Sequence, residues 1–247
     1  MNPNLVTVYK CPFPKKRIGR WTDGGYVIAD IPDIKYNVLF AGGVCDDISF
    51  EEDFIRFQNN PDMPVYAFDG TVDGLPRSPF DNQIKFIKKN IGFLDTDDCT
   101  NLSELFSQYA NPEDPKIFVK MDIEGGEVDW IRSISENHMN SIAQFVMEFH
   151  TPFSEKEIET FTKINKTHIL VHFHPNNAPG TRIHNGVYFP NVFECTYLHK
   201  RFFGGKAELN MDPIPNDAVD VRNIHWNPEI YMGHPPFVHA ERFVREL

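Results

Sequence analysis

The chain has 247 residues, 41% of them hydrophobic and 22 of them Phe, which is enough for a core of ordinary size in one large α/β domain or two small ones and too apolar for a disordered chain. A formal net charge of −11 opposes the phosphate neutralisation that bulk nucleic-acid binding requires, although Lys15, Lys16, Arg17 and Arg20 form a local basic cluster. Cys11, Cys45, Cys99 and Cys195 form no CxxC pair, no apolar run approaches the roughly 20 residues of a membrane helix, and MNPNLVTVYK is no signal peptide, so the expectation is a soluble cytoplasmic protein with free thiols, no zinc ribbon and no membrane partner.

Taken in order, Tyr36 to Ala41 (YNVLFA) is short, apolar and β-prone, and breaks at Gly42-Gly43, as a buried strand entering a tight turn does. Phe50 to Phe57 has apolar residues at helical spacing, Val65 to Phe68 (VYAF) is the next strand, and Gln83 to Asn90 reads as a helix. Ile91 to Leu94 reads as a short strand closed by acidic DTDD, and Leu102 to Tyr109 as an amphipathic helix. Ile117 to Met121 is a strand, Glu127 to Ile134 begins a helix, and Ile142 to Phe149 is a strand. Ser154 to Asn165 is a helix with Ser154 as N-cap and Glu157 in the capping-box position. Ile169 to Phe173 and Val192 to Leu198 are the last strands, and the Pro-, Asn- and His-rich tail beyond Lys206 reads as a surface strap ending in a short helix near Glu241. This pattern predicts βαβ units with right-handed crossovers: a Rossmann-like, mostly parallel α/β sheet with helices on both faces. The expected organisation is an N-terminal segment (1–35), a main domain (36–205) and a C-terminal strap packed on it (206–247).

Ligands of such sheets bind beyond the carboxyl ends of the strands. Here those ends carry Gly42-Gly43, Asp69, Asp95, Asp122 with Glu124, Glu148 with His150, and His172 with His174. Almost every strand delivers polar groups to one rim, which points to an enzyme.

Gly42 and Gly43 permit a sharp turn and close approach of a ligand. The GxGxxG fingerprint of diphosphate binding is absent, and the loop reads GGVCDDISFEED, which is too acidic for a phosphate cradle. Asp69 follows the next strand, where a carboxylate can accept from a ribose diol, or alternatively open the DGTVDG turn. Asp97 and Asp98 could reach an adenine amino group, with Asn101 capping the following helix. Together these suggest a nucleoside without phosphates, and S-adenosylmethionine fits because its sulfonium is cationic.

The segments RIGRWTDGGYVI, LFAGGVCDDISFEEDF, VYAFDGT, FVKMDIEGGEVDWI, VMEFH, HFHPNN and FECTYLHK span most of residues 17–200. In this order they resemble the FkbM-like family of S-adenosylmethionine-dependent O-methyltransferases, in its branch of methyltransferase-like proteins. The resemblance implies a seven-stranded sheet of the class I methyltransferase type, with an antiparallel last strand pair. It also implies that Gly42 and Gly43 face the cofactor with Glu52 near it, that Asp69 holds the ribose, and that Asp122 sits between the sulfonium side and the acceptor. The N-terminal segment would close over the cofactor through Asp23-Gly24-Gly25-Tyr26, whose backbone N–H groups could touch its carboxylate. The acceptor it implies is a sugar, glycan or other small hydroxylated molecule.

Methyl transfer needs an acceptor oxygen in line with the methyl group, and a hydroxyl benefits from a general base. Asp122, His150 and His174 are the candidate catalytic side chains, with His172 a further candidate; His150 could instead cap the turn at Thr151-Pro152. Asp122, Glu148, His150 and His174 could also converge on a divalent ion, with Mn²⁺ or Mg²⁺ the expected candidates; mixed O and N ligands suit Mn²⁺, Fe²⁺ or Zn²⁺ better than Ca²⁺. Glu148 could equally be satisfied by a Lys or Arg, Lys120 could snorkel or pair with an acid, and Glu127 suits a helix N-terminus. Asn176 and Asn177 either bind sugar hydroxyls or make a turn. Trp226, Tyr231, His234 and Phe237 either line an acceptor pocket or anchor the tail. The competing readings are a nucleotide-dependent oxidoreductase and a non-enzymatic binding domain on the same fold.

Overall fold

In the computed structural model, which describes residues 2–151 and 154–240, the apolar runs become strands that alternate between two cores. On the central strand Val38 and Phe40 face one core and Leu39 and Ala41 the other, as a pleated strand buried on both sides requires. The elements run β1 (Lys15–Ile18), β2 (Tyr26–Ala29), β3 (Val38–Gly42), α1 (Ser49–Gln58), β4 (Val65–Phe68), β5 (Ile84–Ile87), β6 (Asn90–Ile91), β7 (Cys99–Thr100) and α2 (Ser103–Tyr109). They continue with β8 (Ile117–Met121), α3 (Glu127–Ser133), α4 (Glu136–Ser141), β9 (Ile142–His150), α5 (Lys156–Thr167), β10 (His168–Pro175), β11 (Thr181–His184), β12 (Val187–Pro190) and β13 (Val192–His199).

Seven strands form the main sheet in the order β10-β13-β9-β8-β3-β4-β5. The pairs from β9 through β5 are parallel, and β13 runs antiparallel to both of its neighbours. This is a Rossmann-like sheet of the class I methyltransferase type. One core packs side chains of α2, α3, α4 and α5, among them Phe106, Trp130, Met139 and Phe161, onto one face. The other packs α1 and the β1–β2 hairpin, through Phe50, Phe54, Ile18 and Tyr26, onto the opposite face. No helix among the described residues is long and apolar enough to cross a membrane.

Three expectations need correction. Gln83 to Asn90 is not a helix: Ile84–Ile87 forms the edge strand β5, parallel to β4. Its apolar residues fit either period, and the open edge beside β4 decides in favour of a strand. Ile91 to Leu94 is not a sheet strand: only Asn90–Ile91 pairs, with Cys99–Thr100, and Phe93 and Leu94 are exposed. Ser154 is not the N-cap of α5, where Glu155 stands, although the Ser154 N–H does donate to the Glu157 carboxylate as the capping box requires. The β1–β2 and β11–β12 hairpins and α4 were not apparent from periodicity, and the helix expected near Glu241 lies outside the described residues.

The N-terminal hairpin lies across the sheet rather than in it. Buried Gln144 on β9 ties it down: its side-chain oxygen accepts from the Ala29 N–H at 2.6 Å, and its amide donates to the Ala29 carbonyl at 3.1 Å and the Tyr36 hydroxyl at 2.8 Å. At the other terminus Asn177 acts on the C-terminal segment. Its amide donates to the carbonyls of Ile224 and Asn227 at 2.9 and 3.2 Å, and its oxygen accepts from the Ile224 N–H at 2.8 Å. Phe237 packs among Phe173 and Phe189 in the core, whereas Trp226 and Tyr231 are exposed.

Replacing Gln144 with Leu keeps the bulk but leaves the buried Ala29 N–H and Tyr36 hydroxyl without partners, each worth about 1–3 kcal/mol, while the Ala29 carbonyl still accepts from the Ile31 N–H. Urea unfolding of Gln144→Leu should therefore show a loss of about 2 kcal/mol or more. A loss under about 1 kcal/mol would mean that the hairpin is held by apolar packing alone.

Candidate active site

The site begins where β3 and β8 end side by side. The Gly43 N–H donates to the Phe68 carbonyl at 2.9 Å, and the Asp122 N–H donates to the Gly42 carbonyl at 3.1 Å. At Gly43 φ is +70°, and a Cβ would stand 1.5 Å from the Asp122 carbonyl oxygen, so glycine is required on both counts. A Cβ on Gly42 would meet Met121 Sδ at 2.4 Å and Ile91 Cδ1 at 2.6 Å. Gly43 lines the cavity beyond the turn; Gly42 is packed behind it. Lys120, buried on β8, closes the turn by donating to the Gly43 carbonyl at 2.7 Å and the Gly42 carbonyl at 3.3 Å. It neither snorkels nor forms a close ion pair.

This turn floors a cavity of about 530 Å³ at the point where the chain order reverses, with β4 on one side of β3 and β8 on the other. Its lining includes Asp69, Thr71 and Asn90. Thr22, Asp23 and Gly24 of the β1–β2 loop also line it, as do Arg20, Asp47 and Glu51, and Asp122, Ile123 and Glu124 from the end of β8. Asp69 Oδ1 accepts from the Thr71 N–H at 2.7 Å and the Thr71 hydroxyl, and Oδ2 accepts from the Cys45 N–H at 2.8 Å. Burial would raise its pKa, but these hydrogen bonds outweigh burial and hold the carboxyl below its usual range. An ionised carboxylate has about four acceptor positions, so roughly one remains for a ligand hydroxyl.

Glu52 and Glu51 divide differently from the expectation. Glu52 faces away from the cavity, bonded to Arg56 at 3.0 Å and to the Ser78 hydroxyl at 2.8 Å. Glu51 lies on the buried stripe of α1 with Phe54, Ile55 and Gln58, and lines the cavity. It is 1% exposed, and neither oxygen accepts a hydrogen bond from another residue. Burial pushes its pKa up to about 7 against the pull of Lys120. Its signal in the sequence was helical phase: positions 51, 54, 55 and 58 share one face. Asp97 and Asp98 are exposed and outside the lining; the Asp98 carbonyl accepts from the Asn90 N–H at 2.9 Å, so that loop supports Asn90 from behind. The Asn101 side chain accepts from the Ser103 N–H at 2.9 Å, at the start of α2.

Beyond Asp122 the cavity meets a dense polar cluster. The Tyr26 hydroxyl donates to Asp122 Oδ2 at 2.7 Å, while Oδ1 is buried without a hydrogen-bond partner. His150 Nδ1 contacts Glu127 at 3.0 Å, and its Nε2 lies 3.3 Å from Glu124, 3.6 Å from Glu148 and 3.8 Å from Asp122. Burial would lower the imidazole pKa, but the hydrogen bond to Glu127 and the charges of Glu127, Asp122 and Glu124 outweigh it and hold it above the ordinary value. Glu127 thus does more than start α3: it orients His150 and also accepts from the N–H groups of Ile123 and Gly125 at 3.1 and 3.2 Å. Glu148 accepts from the Asn176 amide at 2.7 Å rather than from a Lys or Arg, and burial, reinforced by Asp122 and Glu194, drives its pKa far up.

The β10 histidines are placed apart from His150. His174 is fully buried, 3.4 Å from Glu194 and 4.0 Å from Glu229; burial would lower its pKa, but Glu194 outweighs it and keeps it raised. His172 sits 2.9 Å from Asp220 and 3.4 Å from Lys15 Nζ. None of His150, His172 and His174 is in the cavity lining; His150 lies behind Asp122 and Glu124, which are. The Asn223 amide donates to Asp23 at 3.0 Å and Glu194 at 2.7 Å, joining the β1–β2 loop to β13. Glu51, Glu194 and Asn223 were not singled out from the sequence, and Tyr26 was expected only as part of the segment closing over the cofactor, not as the partner of Asp122.

Among the described residues, two sets of three donors approach within 4.8 Å: Asp122, Glu127 and His150, and Asp23, Glu148 and Glu194. The four-residue ligand set expected from the sequence is thus divided, and His174 belongs to neither trio. In the first trio Glu127 already engages the imidazole through Nδ1 at 3.0 Å. The second, all oxygen, is the set that could hold a hard ion such as Mg²⁺ or Mn²⁺.

No family model matches the chain, and no curated protein matches it. Among solved structures it matches a crystal structure from Clostridium thermocellum described as a candidate rRNA-methylase, with 9% identity and a TM-score of 0.31, covering 67% of this chain and 88% of that one. A likeness at that level carries no chemistry to this chain.

The raised pKa of His150 has a definite sign in stability. Its contribution is fully present below the unfolded imidazole value of about 6.5 and is lost as pH rises through the folded value. The stability difference between the native protein and His150→Gln, measured by denaturant unfolding between about pH 5 and 8, should therefore shrink as pH rises. A difference that grows with pH would contradict the carboxylate cage around the ring.

Proposed function

We propose that this protein is an S-adenosylmethionine-dependent O-methyltransferase whose acceptor is a hydroxyl of a sugar, glycan or other small hydroxylated molecule. The observation that carries the reading is the acidic cavity at the switch point of a class I methyltransferase-type sheet, with Asp69 at the end of β4 and Asp122 at the end of β8. Its size falls within the range of small-molecule sites. Asp46 and Asp47 stand beside the glycine turn, where a dinucleotide would need its diphosphate accommodated, and this disfavours the nucleotide-dependent oxidoreductase.

The bound cofactor would supply an activated methyl group on a cationic sulfur. In this reading Asp69 accepts from a ribose hydroxyl, and Asp122, fixed by Tyr26, provides negative charge beside the sulfonium. The acceptor would lie against Asp122, His150, Glu148 and Asn176, a set of carboxylates and amides suited to hydroxyl groups. His150 takes the hydroxyl proton, and Glu127 holds the ring through Nδ1 so that Nε2 faces the acceptor side. The net charge of −11 and the acidic mouth disfavour a nucleic-acid acceptor. A divalent ion on Asp23, Glu148 and Glu194 would place the same acceptor from its other side; it is compatible with the reading and not required by it.

Calorimetry with S-adenosylmethionine and S-adenosylhomocysteine should show one site for each and none for NADH; binding of NADH alone would favour the oxidoreductase. Once a turnover assay exists, His150→Ala should lower kcat by about 10²–10⁴-fold, the usual contribution of a general base. Its affinity for S-adenosylhomocysteine should stay within about threefold of native. Equal losses in both would make His150 structural.

A further inference from the structure

Glu51 has no part in the reading above, yet it is the least satisfied acid in the cavity wall. It is almost wholly buried, both of its oxygens lack a hydrogen-bond partner in another residue, and it lines the cavity from the first turn of α1. A buried carboxylate without donors is costly and persists where something else completes it. Lys120 does not, because its ammonium is directed to the carbonyls of Gly42 and Gly43. Glu51 shares the cavity wall with the Arg20 guanidinium, paired with Asp47 at 3.0 Å, and with the loop at Gly24. That wall presents an uncompleted carboxylate and a guanidinium to a ligand, which is complementary to a zwitterion.

Resting on the proposed cofactor, we infer that Glu51 is the receptor for the α-ammonium group of the cofactor's amino-acid moiety, with Arg20 and the Gly24 loop on the carboxylate side of that moiety. An ammonium offers three N–H donors and a full positive charge, which would satisfy both Glu51 oxygens at once. Asp69, at the end of β4, would hold the nucleoside independently of Glu51. The two ends of one ligand are thereby assigned to two separable acids.

The separation can be tested by calorimetry with three probes: S-adenosylhomocysteine, its analogue lacking only the amino group, and 5′-methylthioadenosine, which lacks the whole amino-acid moiety. The native protein should bind S-adenosylhomocysteine at least tenfold more tightly than the desamino analogue. Glu51→Gln should weaken S-adenosylhomocysteine at least tenfold while leaving 5′-methylthioadenosine within about twofold. Equal affinity of the native protein for the homocysteine compound and its desamino analogue would overturn the inference while leaving the cofactor assignment intact. So would equal weakening of all probes by Glu51→Gln. Binding of no adenosyl probe by the folded native protein would instead overturn the cofactor reading, and this inference with it. If Glu51→Gln does not fold, the native comparison of the two homocysteine compounds decides the matter alone.

Discussion

The whole site depends on one backbone contact, the approach of Gly43 to the carbonyl of Asp122. Two parallel strands end side by side there, and the space between them admits no Cβ. Because the strands meet so closely, Asp122 is delivered to the cavity edge at a fixed height, and Lys120 can reach across to both glycine carbonyls. The glycine turn, the buried lysine and the acid at the end of β8 are therefore one construction. A larger residue at position 43 would push β8 outward and displace Asp122 with it.

The second governing feature is a surplus of acceptors. Asp23, Asp122, Glu124, Glu127, Glu148 and Glu194 crowd the acceptor side, and the basic side chains among them are few: half-buried His150, buried His174 and, at one remove, buried Lys120. Such crowding raises the pKa of Glu148 and Asp23, burial being the leading cause in each case. Like charges held this close favour any ligand that brings positive charge or hydroxyl donors. They give the cavity a polarity that the overall charge alone would not specify.

The main sheet was legible because its strands are buried on both faces and read as unbroken apolar runs; Val65–Phe68 and Ile117–Met121 stand where expected. The edge strand β5 was misread because IKFI satisfies two periods at once, and only its neighbour chooses between them. The rim was legible as a list of strand ends: Gly43, Asp69 and Asp122 line one cavity, and His150 lies behind Asp122, outside the lining. What the list could not give was direction. Glu51 and Glu52 are adjacent and chemically identical, yet one side chain is inside and the other outside, a matter of helix phase. His150 and His174 look equivalent in the sequence, but Glu127 engages one and Glu194 the other. Tyr26 and Asn223 come from opposite ends of the chain, and no local pattern joins them.

The Asn223 bridge has a consequence for biogenesis. Its single amide group holds Asp23 near the start of the chain and Glu194 in the last sheet strand. A nascent chain can complete β3, β4 and β8, and with them the glycine turn, long before position 223 leaves the ribosome. Until then the Asp23 loop and β13 lack the amide that links them, and the acceptor side stays open. The architecture thus separates two moments in the life of the protein: the floor of the cavity can form early during synthesis, but its roof is fastened only after residue 223, 200 positions beyond Asp23, has been made.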